Sequence, residues 1–311
     1  MGSKIRVGVG HVLVFAGSVG ACAMPIEESG TPAENDRVEQ SIMNGSAAPT
    51  TGPLAMPAAV QITNQDGLSC SGFLFGPNQL LTAGHCFEVS GTYLVKVWQK
   101  TATSGNTGQC INSFEPSTNS ICTASGRFSG SGATWASVFV HPNFDPDDFS
   151  AAQADDLAVV WVGSGWGAPA NTSANWLRIL AMKPLVGWNF LTYGWGPESD
   201  TGFPTDALRY AVSQFAAVSS NGLLKSYAGV GGWACAGDSG APLVLLKQDE
   251  LDYNLAYGIH TASENGVGLC AENGDIIWDA GLWNRIAWID SVIPYSCVLG
   301  NSGSFPYARC W

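Results

Sequence analysis

The chain has 311 residues, with 25 acidic against 13 basic side chains, a net charge of −12, 46 % apolar and only 12 % charged residues. The excess of negative charge argues against a nucleic-acid partner, and the apolar content excludes a disordered chain. With 38 glycines the composition suits an all-β protein rich in turns, a class that often uses such a length as one unit.

At the N-terminus, Lys4 and Arg6 precede a largely apolar stretch from Val7 to Val19, followed by small residues. This is the pattern of an export signal over residues 1–22, and the run is too short and Gly-rich for a membrane span. Two cleavages fit it. Val19-Gly20-Ala21-Cys22 has the form of a bacterial lipobox and would leave a lipidated Cys22, whereas Ala21-Cys22-Ala23 is an A-x-A site that would release a soluble protein. Residues 23–41 are acidic and polar, contain Pro and Gly and have no apolar period, as expected of a linker or pro-segment.

Short β-branched and aromatic runs then follow, separated by Gly, Pro, Asn and Ser. Strands are expected at Ala59 to Thr63, Gly72 to Phe75, Tyr93 to Trp98, Val138 to Val140, Leu157 to Val162 and Asn189 to Tyr193. Others are expected at Ala207 to Val212, Pro242 to Leu246 and Leu255 to Ile259. One helical pattern breaks the series. Leu282, Ile286, Ile289 and Ile293 recur at helical spacing within Gly281 to Ile293.

Nine cysteines are present, and Cys22 falls in the signal region. The even remainder in an exported chain points to disulfides, and eight cysteines allow 105 pairings. No C-x-x-C pattern occurs, so a zinc site is not expected. Asp145, Asp147 and Asp148 match no standard calcium loop. No metal and no cofactor are expected.

Two segments carry the chemistry: Leu81-Thr82-Ala83-Gly84-His85-Cys86 and Cys235-Ala236-Gly237-Asp238-Ser239-Gly240-Ala241-Pro242-Leu243. Serine is a weak nucleophile until a base takes its proton, and histidine is the side chain best suited to do so near neutral pH. Between them, Asp156-Leu157-Ala158-Val159-Val160 opens an apolar run with an acid; Asp155 is its rival. The segments resemble the Thr-Ala-Ala-His-Cys, Asp-Ile-Ala-Leu-Leu and Gly-Asp-Ser-Gly-Gly-Pro signatures of the chymotrypsin/trypsin family, in that family's order His, Asp, Ser. A serine alone in a Gly-rich turn would mean little. Cys235, Asp238 and Pro242 in register with it carry the resemblance, which spans residues 42–294.

The resemblance implies two antiparallel six-stranded β-barrels with a C-terminal helix, and a serine endopeptidase in which Ser239 attacks, His85 is the base and Asp156 orients it. Gly237 and Ser239 would supply the oxyanion hole. The implied disulfides are Cys70–Cys86 and Cys235–Cys270, with Cys110–Cys122 and Cys297–Cys310 as the leftover pairs, the last pinning an extension over 295–311. Ser41-Ile42-Met43-Asn44-Gly45 resembles the start of a mature family enzyme, which implies a zymogen whose freed Ile42 amine pairs with Asp238. No Arg or Lys stands at position 41, so a trypsin-like activator is not implied, and another protease or self-cleavage would be the partner.

Where trypsin-like members carry a pocket Asp, this chain has Trp233, followed by Ala234. Residues 257–263 read Tyr-Gly-Ile-His-Thr-Ala-Ser and resemble a segment of bacterial glutamyl endopeptidases whose histidine contacts the substrate carboxylate. His260, with Thr261 and Ser263 as further donors, would then select acidic P1 side chains. The alternatives are a His260 packed behind the pocket, or a shallow pocket for small residues. The expectation is an exported bacterial monomer acting on proteins and peptides; a catalytically silent binding module is the rival.

Overall fold

The computed structural model describes residues 42, 45–49, 54, 56–64, 69–76, 78–87, 91–97, 107–113, 134–145, 154–162, 176–196, 208–228, 234–246, 255–263, 270–271, 274–293, 296–302 and 305–310. The expected signal and pro-segment, Cys22, Cys122 and Trp233 lie outside the described residues.

The first strands are β1 (Ser46–Ala47), β2 (Ala59–Asn64), β3 (Ser69–Gly76), β4 (Gln79–Thr82), β5 (Gly91–Val97), β6 (Thr107–Ser113), β7 (Thr134–Val140) and β8 (Ala158–Val162). All except β1 close a barrel in the order β2-β3-β4-β8-β7-β6-β5. The path holds seven strands rather than the six expected. β6 accounts for the difference by pairing antiparallel with β5 and parallel with β7, through Ile111 opposite Thr134.

The second group is β9 (Arg178–Leu180), β10 (Asn189–Gly194), β11 (Arg209–Val218), β12 (Leu223–Tyr227), β13 (Pro242–Leu245), β14 (Leu255–Ser263) and β15 (Ile276–Gly281). Helix α1 (Ile286–Val292), β16 (Cys297–Ser302) and β17 (Phe305–Cys310) end the chain. Six of these strands form the ring β13-β10-β11-β12-β15-β14, closed where Pro242 faces Ile259. Its interior is aromatic. Phe190 stacks on Phe215 at 4.7 Å, and Tyr257 meets Phe215 edge-on at the same distance. Burying three such rings is the largest apolar contribution available to a small barrel.

The barrels share the larger apolar core, which runs from Val60, Phe73 and Leu81 to Tyr193, Val244 and Ile259. Strands covered on both sides lose the apolar–polar alternation. This explains the unbroken burial of Gln79-Leu80-Leu81-Thr82 and Pro242-Leu243-Val244-Leu245.

The helix is shorter than the pattern from Gly281 to Ile293 predicts. Gly281 still belongs to β15, opposite Gly258, and Leu282 N–H donates to Tyr257 O at 2.9 Å. Sheet pairing thus claims the first residues, and only from Ile286 is the backbone free to wind. Beyond it β16 and β17 form a hairpin tied by the Cys297–Cys310 disulfide. The hairpin joins the second sheet through β9, Ala308 facing Ile179.

Candidate active site

β4 ends against β8, Thr82 facing Ala158, and the chain turns at once into a 3-10 helix over Gly84–Phe87. This places His85 beside the approach to β8, where Asp156, two residues before the strand, is 5 % exposed. Its Oδ2 lies 2.7 Å from His85 Nδ1, and its Oδ1 accepts the His85 backbone N–H at 2.9 Å. Two bonds to one residue fix the carboxylate, and a proton held on Nδ1 by its Oδ2 makes Nε2 the ring's accepting nitrogen. A Cβ at position 84 would lie 3.1 Å from Asp156 Oδ1, so the glycine found there lets the acid approach. The rival acid is placed elsewhere: Asp155 pairs with His141 Nδ1 at 3.3 Å and with Arg285.

The nucleophile segment is held by its backbone. Ser71 N–H donates to Ser239 O at 2.7 Å, Gly240 N–H to His260 O at 2.7 Å and Asp238 N–H to Cys235 O at 2.9 Å. Ser71 Oγ donates to Gly237 O at 2.9 Å and accepts Trp195 N–H at 3.0 Å. One buried hydroxyl thus ties the turn of the second barrel to β3 of the first. Nothing in Cys70-Ser71-Gly72 distinguishes this serine from an ordinary strand residue. The turn needs left-handed backbone at Gly237 and Gly240, with φ of 98° and 82°. At Gly240 a Cβ would also sit 2.3 Å from Ser71 O.

Two disulfides brace these segments. Cys70–Cys86 joins β3 to the histidine turn, and Cys235–Cys270 anchors the nucleophile turn. Among the described residues, Cys70, His85 and Cys86 are the one cluster with metal-ligand spacing, but both sulfurs are consumed by the disulfide. Cys110–Cys122 lies partly outside the described residues.

His85, Ser239, Gly237 and Ala236 line one cavity of about 210 Å³ with Asn64 and Tyr93. This cleft brings the candidate base, nucleophile and oxyanion donors together where both barrels contribute walls. Of the candidate pocket residues, the described ones, Ala234, His260, Thr261 and Ser263, are not among those lining this cleft. His260 and Ala234 line a second, much smaller cavity with Ile42, Ser226 and Asp279. His260 is 4 % exposed, and its Nδ1 lies 3.1 Å from Asp279 Oδ1. Thr261 Oγ1 donates to Trp278 O at 2.9 Å. Ser263 is half-buried at the end of β14. Asp279 was not singled out from sequence, because it reads as an ordinary acid between Trp278 and Ala280.

Asp238 is fully buried. Its Oδ1 accepts Gly196 N–H at 2.7 Å and its Oδ2 accepts Cys235 N–H at 2.8 Å. Loss of hydration raises its pKa to about 6, against the lowering effect of these N–H groups and of His260. Burial raises Asp279 likewise, with His260 opposing.

A family model described as Trypsin matches residues 42–276. The chain belongs to the trypsin family. A solved structure of neuropsin, described as a serine protease expressed in the limbic system of mouse brain, is similar at 17 % identity with a TM-score of 0.55. The match covers 80 % of this chain and 98 % of that one, and at this identity it carries the fold alone. No curated protein sequence matches. Membership brings with it the serine endopeptidase class and protein substrates. The trypsin-family match includes β1 through the first residue of β15 and leaves α1 and the β16–β17 hairpin beyond it.

Gly237→Ala tests the oxyanion turn. An L-residue at φ 98° costs about 1–2 kcal/mol, and the added Cβ would lie 3.2 Å from Gly196 Cα. The expected result is a modest loss of stability with a fall in kcat of about 10- to 100-fold, as the donors leave their line. A kcat equal to wild type, measured on titrated active sites, removes the Gly237 N–H from the catalytic reading.

Proposed function

We propose that the protein is an exported serine endopeptidase that hydrolyses peptide bonds through Ser239, His85 and Asp156. The observation that carries this is the Asp156 carboxylate bonded to both the ring and the backbone of His85, at the mouth of a cleft that Ser239 also lines. His85 Nε2 takes the proton from Ser239 Oγ as the Oγ–C bond forms. The carbonyl oxygen becomes an oxyanion facing the N–H groups of Gly237 and Ser239. Collapse breaks the C–N bond, and His85 returns the proton to the departing amine. Water then repeats the sequence on the acyl-enzyme.

The reading includes maturation at the Ser41–Ile42 bond. Ile42 is fully buried and, at φ 44°, is the one non-glycine with positive φ among the described residues. For a β-branched residue this backbone is strained, by about 1–3 kcal/mol. Cutting the bond before Ile42 frees φ and creates a cation in a cavity that the buried Asp279 also lines. On specificity, an acidic P1 preference would rest on His260. Its burial and its place in the Ile42 cavity favour a role behind the pocket instead.

The test is an Ile42-started protein treated with a sulfonyl fluoride and then given a peptide library. A sulfonyl adduct on the Ser239 peptide, absent from Ser239→Ala, with cuts also absent from that variant, supports the reading. A folded, Ile42-started sample with neither adduct nor cuts leaves a silent binding module. Cuts after Glu or Asp would return His260 to the pocket.

A further inference from the structure

We propose that Arg285, just before α1, is a positioning residue for the His85–Asp156 pair. This rests on the catalytic reading above. Leu157 N–H donates to Asp155 O at 2.8 Å. That three-residue turn has Asp156 at its apex, so the seat of Asp155 sets the direction of the Asp156 carboxylate. The Asp155 carboxylate in turn lies 2.5 Å from Arg285 Nη2 and 3.3 Å from His141 Nδ1. His141 is itself fixed, its N–H donating to Leu157 O at 2.8 Å and its ring meeting Trp288 edge-on at 4.7 Å.

The same guanidinium spans the two barrels. Arg285 Nη2 donates to Asn221 O at 2.9 Å, in the turn between β11 and β12, and approaches Ala154 O at 3.4 Å. Asn284 Nδ2 donates to the same Asn221 carbonyl at 3.0 Å. Arg285 is anchored in turn. Its N–H donates to Leu282 O, and its carbonyl accepts the N–H of the fully buried Ile289, both at 2.9 Å. Its side chain is 11 % exposed, so the ion pair is largely shielded from water and holds its geometry better than a surface pair. The contacts to the acid and to both carbonyls all fall on the one nitrogen Nη2, so a lysine ammonium with its three donors would replace part of them where its shorter stem reaches. The clamp therefore couples the second barrel and its following helix to the turn that aims the catalytic acid.

The experiment compares wild type, Arg285→Met, Arg285→Lys, Asp155→Asn and Arg285→Met/Asp155→Asn, each as the mature full chain. Active-site titration corrects for any unfolded fraction. Arg285→Met and Asp155→Asn are expected to lower kcat by about 10- to 100-fold with KM within about two-fold, Arg285→Lys to recover part of the loss, and the double variant to lose no more than the worse single one. The downfield proton resonance of His85 Nδ1–H, read in a Ser239→Ala background, is expected to shift or broaden in Arg285→Met. A wild-type kcat and an unmoved resonance in Arg285→Met and Asp155→Asn overturn the proposal, as do losses that multiply in the double variant. If Arg285→Met does not fold, the Lys and Asn variants decide. If wild type shows no Ser239-dependent hydrolysis, the catalytic reading fails, while the resonance still decides whether Arg285 seats the pair.

Discussion

Asp156→Asn is expected to lower kcat by about ten thousand-fold, the loss that this substitution causes in triads of the family, with KM nearly unchanged. Asp156 accepts two hydrogens from one residue, the His85 backbone N–H at 2.9 Å on Oδ1 and the ring Nδ1–H at 2.7 Å on Oδ2. Asparagine offers one acceptor. If its carbonyl keeps the backbone N–H, its amide faces Nδ1. The imidazole must then accept there and carry its proton on Nε2, where it cannot receive one from Ser239. If the amide flips, two donors oppose each other in a site only 5 % exposed, which costs about 1–3 kcal/mol. The first arrangement is the stable one, so the variant folds but has lost its base. Steady-state kinetics on titrated sites, beside a thermal melt, check this. A kcat within ten-fold of wild type would take the orienting role away from Asp156.

The parts of this site that a sequence reveals are those whose chemistry demands a residue type at a fixed place in the chain. Ser239 sits between glycines because the turn requires φ values that other residues rarely adopt, and His85 stands beside a cysteine that closes the loop bearing it. The apolar runs at β2, β8, β10 and β13 were visible because burial dictates them. β4 has no clear signal because it is four residues long, opens on Gln79 and lies between Pro77-Asn78 and Ala83-Gly84. β16 and β17, with Gly300, Asn301 and Pro306, read as an irregular tail and become strands only through pairing and the Cys297–Cys310 bridge. The helix was overextended because Leu282 fits a helical period while its N–H is claimed by Tyr257. Ser71, Arg285 and Asp279 were not singled out because what they do is long-range. A serine that links residues 166 positions apart carries no local pattern.

The precursor is expected to lose stability as pH rises from about 4 to about 6, and the Ile42-started form to lose much less. Asp238 titrates at about 6 in the folded chain, against an ordinary 3.8. Between those values the folded state holds a proton that the unfolded state has released, so stability falls with rising pH. About two pKa units correspond to about 3 kcal/mol, fully present below pH 3.8 and gone above 6. In the mature form an α-ammonium from Ile42 would offset the buried charge, draw the Asp238 pKa back down and flatten the curve. The raised pKa of Asp279 adds to the fall, and the pKa of His141, lowered chiefly by burial, gives an opposite slope just below 6.5. Both groups act in both forms and largely cancel in the difference. The measurement is urea unfolding of the two forms at intervals from pH 4 to 7, disulfides intact, in a Ser239→Ala background to prevent self-digestion. Parallel curves would mean that Ile42 does not reach Asp238. Asp279 is the competing acid, since its Oδ2 is buried with no partner among the described residues and Ile42 lines the same cavity. Repeating the pair with Asp279→Asn separates them: the difference persists if Asp238 receives the new N-terminus and vanishes if Asp279 does.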